Sequence, residues 1–497
     1  MAVAPPVAPA RRVPPAGSPA IVLGRVGPVL RRRPTLLWWG TAGACFLLYA
    51  ALSVSRQENL LSSGYDLGIF DQAVRSYADG HLPYAALKGS AHYSVLGDHF
   101  SPILLLLVPF YWVCRSADTL LVAQAFLLAV AVVPLARWAH RELGIEAAAV
   151  VAFGYGSSWG IASAVGFDFH EVCFAVPLLA FSVEALAAGR WRAAVLWALP
   201  LVLVKEDLGA TLAVIGLLVA WGGPRLLGLA TAVFGLCASA VEVLVLIPMA
   251  DTSGAGYAYW AKSAGVTTPV HYSLVHRLEA IPYHLFFPHA KLETLIALLA
   301  PTAFLALRSR LALIAVPTLI WRFESWTGAY WGTSFHYSAD LMPIVFAALI
   351  DALAAGRRRG WSARSIRVAL AVSLAVSGFM VSRHAFSALM DGSTWQVSAQ
   401  ATAARRIASL VPDGATVAAD NQLAPQLTDR TTVFLFPNYP DPGLPTAQYL
   451  IADPADPATW PDRPSVYERD LALARAHGYR RIASDDGYIL LELTPHQ

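Results

Sequence analysis

The sequence predicts a polytopic membrane protein built mainly of α-helices, with a small α/β domain at its C-terminal end. Of its 497 residues, 56% are hydrophobic and only 14% are charged, and the mean hydropathy is +0.52. Soluble domains carry about 25% charged residues, so this chain lacks the charge to cover a water-soluble surface of its size. The net charge of +3 gives no indication of a nucleic-acid partner, and membrane lipids are the expected surroundings.

Crossing a bilayer requires about twenty mostly apolar residues. We interpret eleven apolar segments as spans, near residues 35–54, 117–137, 146–164, 172–188, 193–205, 207–222, 226–249, 291–307, 311–323, 340–355 and 366–384. The segment 101–113 is apolar but too short to cross. Ser101 as a cap and Pro102 in the first turn predict a helix there, which we interpret as interfacial or re-entrant.

The arginine clusters test this topology. If 101–113 does not cross, every short basic cluster lies on the side of the N-terminus, as the positive-inside rule requires. The clusters are Arg31 to Arg33, Arg137 with Arg141, Arg190 with Arg192, Arg225, Arg308 with Arg310, and Arg357 to Arg367. We therefore predict a multi-pass protein of the cell membrane with a cytoplasmic N-terminus.

The same topology divides the chain into three regions. Residues 1–34 are rich in Pro, Ala and Arg and are predicted to be a disordered cytoplasmic segment. Residues 35–390 form the transmembrane domain, whose outer loop 55–116 contains interfacial helices. Residues 391–497 form an extracytoplasmic α/β domain, in which Asp486-Gly487 predicts a β-hairpin turn between two strands.

The predicted outer segments contain most of the acidic residues and histidines that flank the spans. Ionisable groups near membrane depth are costly and usually mark a functional site. They come from at least five segments and include Asp66, Asp71, Asp98, His99, Asp168, His170, Glu171, Lys205, Glu206, Asp207, Glu324, His336 and Asp340. We expect these segments to converge on one site.

Asp66 lies in the first outer loop, within GYDLGIFDQ. It either caps the helix that follows or acts as a general base or a metal ligand. Burial would raise its pKa and suit it to base chemistry near neutral pH. Asp71 and Arg75 are spaced to share one face of that helix, so Asp71 either pairs with Arg75 or contributes to substrate binding.

Two further outer segments carry the pattern Asp-His. Asp98 and His99 either cap a helix or bind a divalent cation or a phosphate. Asp168, His170 and Glu171 lie in FDFHE, a pattern that suits a metal ion such as Mg²⁺, Mn²⁺ or Ca²⁺, or a cationic group. These five residues are the predicted metal ligands, or ligands of a donor phosphate.

Charged and aromatic residues of two later segments predict phosphate and sugar binding. Lys205-Glu206-Asp207 interrupts a long apolar stretch and forms either a simple polar turn or a site in which Lys205 contacts phosphate. Around Arg322, aromatic residues form either an interfacial belt or a surface for sugar rings and phosphate, to which His336 and Tyr337 would contribute.

These motifs resemble the DUF2079 family of bacterial membrane proteins, which is similar to the GT-C superfamily of membrane glycosyltransferases. The segments that carry the resemblance are GYDLGIFDQ, GDHFSP, FDFHE, KED and FHYSADLMP. In GT-C enzymes an acidic residue of the first outer loop activates the acceptor hydroxyl, and Asp66 occupies that place. The resemblance further implies a lipid-linked sugar donor, a polyprenyl-phosphate sugar, and in some members a divalent metal. The acidic pair found in many members is absent, because Leu67 follows Asp66.

The leading hypothesis is therefore a glycosyltransferase that moves a sugar from a polyprenyl-phosphate donor to an outer-face acceptor, with Asp66 as base. Lys205 and Arg322 would neutralise the leaving phosphate, and Trp326, Tyr330 and Trp331 would line the acceptor groove. The alternatives are a transporter or lipid flippase, and a non-catalytic membrane scaffold. The scaffold hypothesis predicts that Asp66, His99 and His170 lie far apart.

Overall fold

The computed structural model describes residues 34–254, 257, 287–325, 327–437, 447–454 and 464–494. The predicted disorder of residues 1–34 falls outside these ranges, apart from Pro34, which begins the first helix. Trp326 also lies outside the described residues.

Helices dominate the described chain. In the apolar region they are Pro34–Glu58, Ile69–Ala78, Val108–Val113, Ala117–Val130, Val132–Leu143, Ile145–Gly156, Trp159–Val165, Ala175–Ala187, Trp191–Ala198, Leu208–Gly222, Arg225–Val241, Ile247–Ala250, His289–Leu299, Val316–Glu324, Gly328–Trp331, Leu341–Arg358 and Ala363–Val381. Each of the eleven predicted spans coincides with a helical segment, several of them extended by short 3₁₀ turns. The predicted helical bundle is confirmed.

Few of these helices reach full spanning length without a break. In the described ranges, four are long and apolar enough on their own: Thr35–Glu58, Ala117–Leu143, Arg225–Ala250 and Ala363–Val381. Two bent pairs, Ile145–Gly156 with Trp159–Val165 and Gly328–Ser338 with Leu341–Arg358, bring the number to six if each is one span. The other predicted spans are shorter or interrupted. The predicted number of about eleven is therefore a number of apolar helical segments, not of full-length spanning helices.

The segment predicted to be interfacial is a short helix. It consists of a 3₁₀ turn, Pro102–Leu107, continued by the α-helix Val108–Val113. One face is exposed at Leu105, Leu106, Phe110, Trp112 and Val113, which suits contact with lipid. Pro102 lies in the first turn as predicted, but the Ser101 hydroxyl makes no capping hydrogen bond.

Two adjacent helices pack with their backbones unusually close. A Cβ atom on Gly209 would lie 2.3 Å from the carbonyl oxygen of Gly235, and one on Gly228 would lie 2.2 Å from the backbone nitrogen of Ala220. Helices Leu208–Gly222 and Arg225–Val241 therefore approach each other through small residues, as is common for helices packed within membranes.

The basic clusters gather at one end of the bundle. The buried carboxylate of Glu184 receives Arg137, Arg141 and Arg190, and Arg358 lies 3.8 Å from Glu142. Helix Leu341–Arg358 begins beside His336 and ends in this cluster. Of the predicted clusters, those around Glu184 and Glu142 therefore lie together, at the opposite end of helix Leu341–Arg358 from the predicted site, whereas Arg31 to Arg33 lie outside the described residues.

The C-terminal domain is a five-stranded mixed sheet of strand order β2-β1-β3-β5-β4. The strands are β1 Thr416–Asp420, β2 Thr432–Phe436, β3 Tyr449–Ala452, β4 Tyr479–Asp485 and β5 Tyr488–Leu493. Strands β1, β2 and β3 are parallel, whereas β5 is antiparallel to β3 and β4. Helices Ala399–Ala408 and Pro464–Ala476 accompany the sheet, and Asp486 and Gly487 form the predicted hairpin turn with positive φ.

Candidate active site

A cavity of 560 Å³ lies where the first outer loop meets the ends of the helices. Such a volume is typical of small-molecule sites. Its lining combines charged, imidazole and aromatic side chains: Ser63, Tyr65, Asp66, Ile69, Phe70, Lys88, Val95, Asp98, His99, Phe167, His170, Lys205, Trp321, Thr327, Ala329, Tyr330, Phe335 and Tyr337. All five recognised motifs therefore contribute side chains to one cavity.

A chain of ionisable side chains begins at Asp66 on the cavity wall. Asp66 Oδ1 lies 3.7 Å from His170 Nε2. His170 Nδ1 lies 2.6 Å from Glu171 Oε2, and Glu171 Oε1 lies 3.3 Å from Lys205 Nζ. His170 therefore lies between two carboxyl groups, with Nε2 on the side of Asp66 and Nδ1 on the side of Glu171.

Burial divides this chain into an accessible end and an enclosed end. The side chain of Asp66 is 22% exposed, whereas that of Glu171 is fully enclosed. Burial, together with the nearby Asp168 and Glu171, holds the pKa of Asp66 well above its usual range. Burial would also raise the pKa of Glu171, but His170 and Lys205 hold it well below its usual range. The site thus combines a carboxyl group of raised pKa, that of Asp66, with an ionised one, that of Glu171.

Short backbone segments between helices present these side chains. Asp66 lies in the turn Gly64–Gly68, and the helix that follows begins at Ile69 with Gly68 in the capping position. The interpretation of Asp66 as a helix cap is therefore wrong. His170 has extended backbone geometry directly before the 3₁₀ turn Glu171–Phe174, which directs its ring into the cavity while Glu171 stays behind it.

Two ion pairs flank the cavity on its other side. Lys88 Nζ lies 2.9 Å from Asp98 Oδ2, and His99 Nδ1 lies 2.7 Å from Glu206 Oε1. Glu206 also accepts from the backbone nitrogen of Phe100 at 3.2 Å. The Lys-Glu-Asp turn is therefore part of the site, with Lys205 and Glu206 binding different partners.

Asp168 has a different place from the predicted one. Its Oδ2 atom accepts from the backbone nitrogen and the hydroxyl of Ser63, at 2.9 and 2.7 Å. The side chain is buried and does not line the cavity. Asp168 therefore holds the loop that carries Asp66. Because it is buried beneath that loop, it does not reach a ligand in the cavity.

Asp71 also departs from its predicted role in substrate binding. It is buried between the first outer loop and the C-terminal domain, facing the hydroxyl groups of Thr428 and Tyr111. Arg75 donates to the carbonyl oxygens of Thr428 and Thr431 at 2.7 and 2.6 Å instead of pairing with Asp71. Arg75 therefore holds the C-terminal domain against the loop, and Asp71 is buried at the same interface.

Arg322, a predicted phosphate contact, does not line the cavity. Its guanidinium group is buried and donates to the carbonyl oxygens of Tyr330, Gly332 and Tyr337 and to the Ser338 hydroxyl, at 2.8 to 3.1 Å. Arg322 is thus the support of the 330–338 loop, since its donor directions are taken by that loop.

His336 and Tyr337 lie at two depths beside the cavity. His336 is buried behind its wall, with its ring stacked on His170 at a centroid distance of 3.5 Å. Tyr337 lines the cavity and packs edge-on against Tyr330 at 4.8 Å. Tyr337 and Lys205 line the cavity as predicted ligand contacts, whereas His336 packs behind it against His170 and Tyr337. Trp331 does not line the cavity, and its indole nitrogen donates to Ser325.

The five predicted metal ligands do not form one cluster. In the described ranges, no three His, Cys, Asp or Glu side chains are placed to hold a metal ion together. Asp98 pairs with Lys88, Asp168 binds Ser63, and Glu171 is shared by His170 and Lys205. These side chains do not fit a bound divalent cation, because the carboxylates of Asp98 and Glu171 are already paired with Lys88, His170 and Lys205.

Some lining residues carry no signal in the recognised motifs. Lys88 is the clearest case, a cation in ALKGS placed over the Tyr65 ring at 5.2 Å from its centroid. The available signal in the sequence was that Lys88 is the single lysine of an outer loop rich in acidic residues. Trp321 is another, with Lys205 Nζ 5.5 Å from its ring centroid.

A family described as predicted membrane proteins (DUF2079) matches residues 56–490, most of the chain. The chain belongs to the DUF2079 family. No curated protein matches this DUF2079 chain in sequence.

Among solved structures, this DUF2079 protein is similar to ArnT from Cupriavidus metallidurans, at 14% identity. The crystal structure bound to undecaprenyl phosphate has a TM-score of 0.50 and covers 92% of this chain and 98% of that one. For the apo crystal structure the TM-score is 0.49, with 90% and 97% covered. The first likeness shows the fold alone, which is an ArnT-like helical bundle.

Proposed function

We propose that this protein is a membrane glycosyltransferase that transfers a sugar from a polyprenyl-phosphate donor to an acceptor hydroxyl. The observation that carries the proposal is the Asp66 carboxyl group on the wall of a 560 Å³ cavity, 3.7 Å from a histidine backed by Glu171 and Lys205. The fold shared with ArnT supports it, because that protein was crystallised with undecaprenyl phosphate.

Asp66 is the proposed general base. The acceptor oxygen forms a bond to the anomeric carbon, the bond from that carbon to the phosphate oxygen breaks, and the hydroxyl proton passes to Asp66. His170 lies within reach of Asp66 once substrate closes the gap, because catalytic contacts are often long in empty sites. Glu171 fixes the orientation of His170 and acts as a positioning residue.

Lysines are the proposed phosphate ligands. The leaving polyprenyl phosphate gains negative charge as the glycosidic bond breaks, and cations placed beforehand stabilise that charge. Lys205 and Lys88 both line the cavity. In this assignment Lys88 takes the place that the sequence suggested for Arg322.

Aromatic side chains are the proposed sugar-binding surface. Trp321 and Tyr330 stack at 5.1 Å between ring centroids, and Phe335 and Tyr337 lie beside them. Their apolar faces suit the C–H face of a sugar ring, while the tyrosine hydroxyl groups suit its polar edge. The acceptor would enter beside Asp66.

We also propose that the site and the C-terminal domain lie outside the cytoplasm. The basic residues gathered around Glu184 and Glu142 lie at the other end of the bundle. Positive clusters favour the cytoplasmic side, which supports an extracytoplasmic cavity and a cytoplasmic N-terminus.

The convergence of Asp66, His99 and His170 on one cavity argues against a passive scaffold, which predicted that they lie apart. The charged lining residues stand on loops and turns between helices, at positions such as Asp66, His170 and Lys205. A transport pathway usually places such groups near the bilayer midplane.

The test is a transfer assay with the purified full chain in lipid nanodiscs. A panel of radiolabelled polyprenyl-phosphate sugars is offered with extracts of envelope glycans as acceptors, with and without a chelator. The proposal predicts that one donor loses its sugar to an acceptor, with the chelator having no effect.

The same donors in sealed proteoliposomes distinguish a glycosyltransferase from the alternative, a flippase. Movement of intact donor between leaflets without release of polyprenyl phosphate would contradict the proposal and establish a flippase. Binding of no donor at all would contradict both functions.

A further inference from the structure

The loop that carries Asp66 is gripped by the C-terminal domain as well as by the bundle. The backbone nitrogen of Gly64 donates to the carbonyl oxygen of Asn421 at 2.6 Å, and that of Tyr65 donates to Asn421 Oδ1 at 2.8 Å. On the bundle side, the backbone nitrogen of Ser63 donates to Asp168 at 2.9 Å. Three successive amides directly before Asp66 are therefore fixed by two separate parts of the chain.

Asn421 stands at a special place in its domain. It directly follows Asp420, the last residue of β1, which pairs in parallel with β2 and β3. In open α/β sheets, the carboxyl ends of parallel strands form the edge where ligands usually bind. Here that edge receives the chain's own first outer loop, and Asn421 is buried there.

The fit between loop and domain leaves no space at Gly64. A Cβ atom on Gly64 would lie 2.5 Å from the Cβ atom of Ala424 and 3.2 Å from the Asn421 carbonyl oxygen. The φ angle of Gly64 is outside the left-handed region, so glycine is required by this contact rather than by its backbone conformation.

Further hydrogen bonds on either side of the contact between Asn421 and the Asp66 loop extend the same interface. Gln57 donates to the carbonyl oxygen of Pro425 at 3.3 Å, and Gln426 donates back to the carbonyl oxygen of Gln57 at 2.9 Å. Gln72 donates to the carbonyl oxygen of Val433 at 3.1 Å. The domain is thus held on both sides of the Asp66 turn.

We infer that Asn421 is a positioning residue for Asp66, and that the C-terminal domain completes the active site instead of serving as a separate accessory module. This inference rests on the proposed function. A displacement of about 1 Å in a catalytic group can cost on the order of a hundredfold in rate. The two amide hydrogen bonds that Asn421 accepts are the means by which the distant domain controls that placement.

The test introduces a steric clash between residue 64 and Ala424 and then removes it. Gly64→Ala introduces the methyl group that meets Ala424, and Ala424→Gly removes the atom it meets. We expect Gly64→Ala to lower kcat about ten- to a hundredfold with little change in donor KM, and the double variant to recover most of the loss. Asn421→Ala should lower kcat in the same way.

Gln448→Ala is the matched control. Gln448 Oε1 accepts from the backbone nitrogen of Thr416 at the other end of β1, so its loss removes a similar hydrogen bond without touching the loop. Wild-type kcat in Gly64→Ala and Asn421→Ala, or a double variant as slow as the single one, would overturn the inference.

Hydrogen exchange separates this inference from the proposed function. The amide of Tyr65, which donates to the Asn421 side chain, should exchange faster in Asn421→Ala than in Gln448→Ala, whether or not a sugar donor is known. Absence of transfer by the wild type defeats the proposed function, whereas unchanged exchange at the Tyr65 amide defeats the role of Asn421 in holding the loop.

Discussion

Replacing Glu171 by Gln should destabilise the protein far more than the same change at an exposed position. Glu171 is fully enclosed and lies 3.3 Å from Lys205 Nζ, whose side chain is only 9% exposed. Glutamine keeps the shape and one acceptor for His170 but removes the counter-charge of Lys205. Breaking a buried ion pair by removing one partner costs about 3–5 kcal/mol, and we expect the lower part of this range because Glu206 and Asp207 adjoin Lys205.

Glu142→Gln is the matched control, because Glu142 is 33% exposed and pairs with Arg141 and Arg358 at 3.6 and 3.8 Å. Exposed pairs contribute about 0–1 kcal/mol. Thermal unfolding of both variants in nanodiscs, followed by tryptophan fluorescence, makes the comparison. Equal and small shifts in Tm would refute the view that Glu171 holds a buried charge in place.

Three further perturbations test other parts of the site. Burial raises the pKa of Asp71 to about 7, above an unfolded value of about 4, so folding takes up a proton and stability falls as pH rises through that window. Asp71→Asn should flatten the stability profile between these pH values, measured by thermal unfolding. Arg322→Lys should cost about 2 kcal/mol or more, because lysine cannot replace four hydrogen bonds from a planar group, and an unchanged Tm would contradict this. Lys88→Gln should weaken binding of polyprenyl phosphate about tenfold, the loss of one charge-assisted contact, in a titration followed by native mass spectrometry; unchanged affinity would exclude Lys88 as a phosphate ligand.

Local patterns in the sequence predicted much of the fold. Apolar segments identified the helices, and the hairpin turn at Asp486-Gly487 lies where the dipeptide placed it. These features depend on nearby residues, so a single sequence carries them. The breaks that shorten several spans depend on packing between helices, and the apolar pattern alone did not reveal them.

Topology also predicted that distant motifs would meet. Grouping the arginine clusters on one side placed Asp66, His170 and Lys205 on the other, and all three line the cavity. That inference needed only the direction of each helix. It did not need any side-chain partner.

Individual roles depended on partners that the sequence does not reveal. Asp168 and His170 are two residues apart, yet one binds Ser63 beneath the loop and the other faces Asp66. Arg322 has the chemistry of a phosphate ligand, but carbonyl groups of the next loop take its donors. Asn421 lies some 350 positions from Tyr65, and no local pattern connects the two.

The most direct test of the central claim is the transfer rate of Asp66→Asn with a donor that the wild type uses, at saturating donor and acceptor. Loss of a general base costs about 10²–10⁴-fold, and asparagine keeps the size and hydrogen bonding of the side chain. We predict a fall of that size in kcat with polyprenyl phosphate still bound, and a wild-type rate that rises with pH as the raised pKa of Asp66 is passed. Equal rates for Asp66→Asn and the wild type would contradict the account.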